Sequence, residues 1–280
     1  MDSTPPPPTA EIMTKPSLPH LRLGTGAPLV VIPGLAGRHG VPVWAGRWMQ
    51  HQEIVELSGS RSVWSIDRRA GLEHGITMTD LAEEYAHTIR RLFSEPIDIV
   101  GVSTGGGIAL QLALDFPDLI HRLVLVSSAY RLSDHGRQVQ REIATLLREG
   151  HPRRAAALFL SNTGATSASR AILSVAGLLA PRIVVGREDA DLLVTLDAED
   201  TFDLSGRLAS VTAPTLVTGG GNDRFYTAEL FADTARGIPG SRLTIYPGAG
   251  HIGTQGNRRL VRDILEFLET PGTVSDPATA

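Results

Sequence analysis

Ile99-Val100-Gly101-Val102-Ser103-Thr104-Gly105-Gly106-Gly107 joins two kinds of chain at a single residue. Ahead of Ser103, Ile97 to Val102 is a short apolar run with the makeup of a buried strand. Behind it, Thr104 to Phe116 reads as a helix stopped by Pro117. A strand that turns at once into a helix forces the apex residue into a strained backbone conformation. Small residues two before and two after leave room for the tight packing that results. The apex side chain then projects from the sheet edge, and the backbone N–H of Thr104 points the same way. The G-x-S-x-G pattern is weak alone; its meaning comes from the strand before it and the helix after it.

The same alternation continues outward. Leu29 to Ile32, Val63 to Ile66, Leu123 to Val126, Pro214 to Thr218 and Arg242 to Tyr246 are further strand candidates. Leu81, Tyr85, Ile89 and Leu92 form a helical stripe, with Thr77 or Thr79 as N-cap. Further helices are expected near Thr227 to Arg236 and from about Asn257 to Leu268. Apolar strands alternating with helices imply an α/β fold, a mostly parallel central sheet covered by helices on both faces. In such sheets ligands sit at the carboxyl ends of the strands, so the residues after each strand carry the functional reading. The interval 130–211 breaks the alternation with helical spacing alone and is expected to be a helical cap over the ligand edge. The core is then 19–129 together with 212–270, and residues 1–18, Pro-rich, and 271–280 are expected to be flexible tails.

Composition narrows the classes. The chain has 280 residues, net charge −4 and 20% charged residues, which suits a globular protein and carries no electrostatic footprint for nucleic acid. There are no cysteines, so disulfides, thiolate metal sites and a cysteine nucleophile are excluded. Of 26 basic residues only Lys15 is a lysine, which points to a GC-rich bacterial source. The apolar stretch Ala171 to Val185 is too short and too interrupted to span a bilayer, and the N-terminal segment lacks the pattern of a signal peptide. A cytoplasmic location without a membrane partner is expected. No H-E-x-x-H motif or other ligand spacing suggests a metal, and Gly24-Thr25-Gly26 and Gly219 to Gly221 lack the partners of a phosphate cradle. Neither a metal nor a cofactor is expected.

A serine hydroxyl needs a base to become a nucleophile. Of nine histidines, His251 lies in a Gly-rich loop directly after the last strand, at the same edge as Ser103. The base in turn needs a carboxylate to hold its tautomer. Asp223 follows the strand ending at Thr218 in Gly221-Asn222-Asp223-Arg224, with Asp134 and Asp67 as other candidates at that edge.

The order Ser103, Asp223, His251 on alternating strands and helices resembles the α/β-hydrolase superfamily, over nearly the whole chain from Leu21 to Leu268. The resemblance implies a nucleophile at Ser103, a base at His251 and an orienting acid at Asp223. It carries the oxyanion hole over to the backbone N–H groups of Leu35 and Thr104. In Ile32-Pro33-Gly34-Leu35, Pro33 stands where the family often has histidine. Asp67-Arg68-Arg69-Ala70-Gly71 resembles the family's Asp-x-Arg-Gly stretch and is read as structural. A serine at the elbow argues against the dehalogenase and epoxide hydrolase branches, which use aspartate there. The implied activity is hydrolysis of an ester, lactone or similar acyl bond in a small apolar substrate. C–C bond hydrolysis and cofactor-free perhydrolysis use the same triad and remain open, as does a weakly catalytic small-molecule-binding module. The oligomeric state is not encoded legibly.

Overall fold

Seven strands form one sheet among the residues described by the computed structural model, which are 17–35, 54–186 and 190–270. They are β1 (His20–Leu23), β2 (Pro28–Ile32), β3 (Ser62–Ile66), β4 (Ile97–Val102), β5 (Ile120–Val126), β6 (Thr215–Gly220) and β7 (Arg242–Tyr246). Their spatial order is β1-β3-β2-β4-β5-β6-β7. Only β1 pairs antiparallel, with His20 opposite Ile66, and the remaining neighbours are parallel. The run before Ser103 and four of the five expected runs fall within strands, and the fifth, expected from Pro214, starts one residue later at Thr215. The four-residue edge strand β1 was not anticipated, because its apolar signal is two leucines separated by Arg22.

Side chains alternate between two apolar layers, as the two-residue strand period requires. Leu29, Val31, Val100, Val102, Val124 and Val126 pack with one layer. Val30, Ile32, Ile99, Leu123 and Leu125 pack with the other. Helix α1 (Met78–Leu92) and helix α2 (Thr104–Asp115) lie in the second layer. Between β5 and β6 run α3 (Asp134–Arg148), α4 (Pro152–Thr163), α5 (Ser167–Leu179) and α6 (Ala190–Asp200). Helix α7 (Ala228–Gly237) follows β6, and α8 (His251–Gln255) and α9 (Leu260–Glu269) follow β7. The last helix, expected from Asn257, starts at Leu260. Asn257 Oδ1 accepts the Arg259 N–H at 3.0 Å, a side-chain turn that competes with helix at its own position. His251, expected in a loop, is the first residue of α8. The expected tails lie outside the described residues except for Ser17 and Leu18, and Leu18 is buried with its N–H on Thr88 Oγ1. Among the described residues no helix is long and apolar enough to cross a membrane.

Thr77 caps α1 reciprocally with Asp80: the Asp80 N–H donates to Thr77 Oγ1 at 3.2 Å, and the Thr77 N–H to Asp80 Oδ2 at 2.8 Å. Thr77→Ala removes the cap and exposes little else, so chemical denaturation should show a loss of about 1 kcal/mol.

Candidate active site

The turn from β4 to α2 occurs at Ser103 alone, with φ 52° and ψ −123°. Few non-glycine residues adopt a positive φ, and this one does so because the surroundings leave no alternative. Its N–H still bonds to Val126 O at 2.8 Å, extending the sheet by one residue, while its C=O already accepts the Gly106 N–H at 2.8 Å. The helix therefore begins before the strand pairing has ended. Two glycines make room. A Cβ at Gly101 would sit 2.6 Å from the Gly105 carbonyl oxygen. One at Gly105 would sit 2.2 Å from the Ile32 oxygen.

The segments that follow β4, β6 and β7 bring the expected residues together at the carboxyl edge. Ser103 Oγ lies 2.9 Å from His251 Nε2, and His251 Nδ1 lies 2.8 Å from Asp223 Oδ2. Asp223 is itself fixed: its Oδ1 accepts the N–H groups of Phe225 at 2.9 Å and Tyr226 at 3.1 Å. The loops carrying acid and base are tied by the Gly221 N–H to Tyr246 O and the Asn222 N–H to Ala249 O. Of the other acid candidates, Asp134 is exposed and pairs with Arg131 at 3.2 Å, and Asp67 Oδ1 accepts the Arg68 N–H at 2.9 Å. Asp223 is the carboxylate that meets the imidazole.

Burial pulls the His251 pKa down, but the Asp223 carboxylate, through charge and hydrogen bond, and the Glu199 charge push it up, and the net direction is upward. The ring is held by aromatic neighbours. Phe225 lies 5.2 Å away between centroids, and Tyr226 stacks at 6.0 Å with 20° between planes. Phe159 of α4 packs on Phe225 at 5.7 Å, so the helices between β5 and β6 reach the site through an apolar contact.

Thr104 opens α2, where its N–H has no carbonyl one turn back. Leu35 is half-buried against the core in the loop after β2. The fully buried Arg68 guanidinium shapes that loop, donating to Pro33 O at 3.3 Å and Gly34 O at 2.7 Å. Gly34 O belongs to the peptide whose N–H is that of Leu35. In a trans peptide the two groups point oppositely, so anchoring the carbonyl on Arg68 turns the Leu35 N–H away from Arg68. The sequence marks this arginine as structural, and its reach to the loop after β2 joins positions 34 residues apart that share no local signal. Glu199, Phe225 and Tyr226 carry no sequence signal for the site either. Ala198-Glu199-Asp200 reads as the polar end of an ordinary helix, and only tertiary packing brings it inward.

A family model described as "Alpha/beta hydrolase family" matches residues 29–263. The chain is 29% identical over 230 residues to "Putative carbamate hydrolase RutD" of Klebsiella pneumoniae, covering 81% of this chain and 85% of that one. It is 29% identical over 245 residues to the pimeloyl-[acyl-carrier protein] methyl ester esterase of Nitrosomonas europaea, covering 81% and 90%. Its fold is similar to the crystal structure of the enol-lactonase from Burkholderia xenovorans, with TM-score 0.73, 20% identity, and 89% and 95% of the two chains covered.

The strain at residue 103 is measurable. Ser103→Gly should be more stable than Ser103→Ala by about 1–2 kcal/mol in urea unfolding, because only glycine adopts this backbone freely. Equal stabilities would mean that the elbow carries no strain.

Proposed function

The chain belongs to the alpha/beta hydrolase family, and from that premise we propose that it is a serine hydrolase cleaving a carboxylic ester, lactone or similar acyl bond of a small, mainly apolar substrate. The observation that carries the reading is the continuous relay from Ser103 Oγ through both nitrogens of His251 to Asp223. The relatives named as a putative carbamate hydrolase and a methyl ester esterase support the same class.

In this mechanism Ser103 Oγ attacks the acyl carbon while His251 Nε2 takes its proton. Asp223 holds the Nδ1–H tautomer and stabilises the imidazolium that forms. The negative charge that develops on the acyl oxygen is met by the N–H groups of Thr104 and Leu35, each worth about 3 kcal/mol in comparable sites. His251 returns its proton to the leaving group. Water, activated by the same ring, then hydrolyses the acyl-enzyme. Residues 130–211 act as the cap, and Phe159 and Phe225 supply an apolar wall consistent with an apolar acyl or leaving group.

Turnover of p-nitrophenyl acetate, butyrate and octanoate tests the proposal. Ser103→Ala and His251→Ala should each lower kcat by about 10⁴-fold or more with the fold intact. Asp223→Asn should cost about 10²–10⁴-fold, because the geometry persists with the wrong tautomer. Turnover that survives Ser103→Ala would remove the serine from the mechanism. Failure of folded wild type to turn over any of the esters would point to a C–C bond hydrolase or a binding module instead.

The pH profile follows from the upward shift of His251. The ring must be neutral to accept the serine proton, so protonation abolishes activity. A raised pKa moves that loss upward. The acid limb of kcat/KM should have its midpoint above the ordinary histidine value of about 6.5. A midpoint below it would contradict the charge arrangement.

A further inference from the structure

Glu199 is a buried carboxylate on α6, only 2% exposed, with no part in the mechanism above. Three donors converge on it. Thr104 Oγ1 donates to Oε2 at 3.0 Å, Gln140 Nε2 to the same oxygen at 3.0 Å, and Tyr226 OH to Oε1 at 2.7 Å. All three donors are neutral, and among the described residues no cationic side chain pairs with it. A carboxylate buried without a cation is costly, and placing one here needs a compensating gain.

Its neighbours indicate what the gain is. Thr104 follows the elbow serine and presents one of the oxyanion N–H groups. Tyr226 gives its N–H to Asp223 and stacks its ring on His251. One carboxylate therefore grips a residue of the oxyanion hole and a residue that touches both acid and base. Helix α6 is held in place for this at both ends. Asp191, in its first turn, accepts the N–H groups of Gly71 at 3.0 Å and Leu72 at 2.7 Å. Near its end, Asp200 takes both arms of Arg141 from α3 at 2.7 and 3.0 Å.

We propose that Glu199 is a positioning residue of the hydrolytic site, a buried carboxylate that fixes Thr104 and Tyr226 and supplies a second negative charge to meet the imidazolium on His251. The proposal rests on the serine hydrolase reading for its consequence in turnover. The charge relation between Glu199 and His251 stands apart from it. The imidazole is faced by Ser103 from the elbow, by Asp223 and Tyr226 from the loop ahead of α7, and by the Glu199 charge from α6. Glu199 acts in the same direction as Asp223, favouring the charged ring. The cation this carboxylate lacks in the resting enzyme is then the one that forms when His251 takes the serine proton.

The test is an NMR titration of the imidazole nitrogens, with the His251 signals assigned by their loss in His251→Gln. Glu199→Gln removes the charge and keeps the shape. The His251 midpoint should fall by about 0.5–1 pH unit, since a nearby negative charge no longer favours imidazolium. The acid limb of ester hydrolysis should move down with it. kcat should drop about tenfold with KM within about twofold, the mark of an interaction that strengthens in the transition state. Glu199→Asp, which keeps the charge, should restore the midpoint. An unchanged midpoint in folded Glu199→Gln overturns the proposal even if activity falls, because a merely structural residue does not move the titration. If wild type hydrolyses no ester, the hydrolase reading fails while the titration still decides the role of Glu199. Should Glu199→Gln not fold, Glu199→Ala replaces it: removing the charge should again lower the midpoint, and an unmoved midpoint overturns the proposal.

Discussion

The structure depends on one residue being both the end of a strand and the start of a helix. Ser103 remains bonded to β5 through its N–H while its carbonyl already belongs to the first turn of α2. No relaxed conformation of a non-glycine residue satisfies both demands, so the backbone adopts φ 52°. The strain is held in place by the buried residues on either side, Val102 and Thr104. Gly105 packs against the Ile32 and Pro33 carbonyls, and Ile108, Leu110 and Leu112 anchor the helix in the core. The side chain is thereby lifted from the sheet edge toward the loops that follow β6 and β7.

Those segments are tied by backbone bonds to each other and to the end of β7, which fixes the acid and the base relative to one another. The Asp223 carboxylate is saturated: one oxygen takes two backbone N–H groups and the other faces His251. Saturation fixes its direction, which is what a group that orients an imidazole requires. Opposite it, Arg68 orients the loop after β2 by taking two successive carbonyls. The polar groups around Ser103 are thus positioned by partners on other segments, and a rigid sheet sets the distances among those segments.

The charges around His251 follow one pattern. Asp223 and Glu199 are both buried acids close to a histidine that becomes cationic in the proposed reaction. Burial also drives the Tyr226 hydroxyl well above its ordinary pKa, reinforced by the Glu199 charge, which leaves it a neutral donor. A site of this kind favours positive charge on the His251 ring. The helices between β5 and β6 take part in that arrangement, because Glu199 comes from α6 and reaches the first residue of α2.

The sequence by itself determined six of the seven strands, the elbow at Ser103 and the placing of candidate polar residues after the strands. Each is written in local signals: runs of β-branched residues, glycines at fixed offsets from Ser103, and polar residues directly after strands. The edge strand β1 and the start of α9 were missed or shifted, because four residues or one asparagine turn leave too weak a local signal. What only the tertiary structure decided is which distant groups meet. Asp223 rather than Asp134 or Asp67 faces His251, Arg68 reaches the loop after β2, and Glu199 turns inward to Thr104 and Tyr226. These pairings join residues from 27 to 95 positions apart, and no local periodicity records them. They follow from the stacking of the parallel strands, which brings their carboxyl ends to one edge, and from the packing of α6 above it.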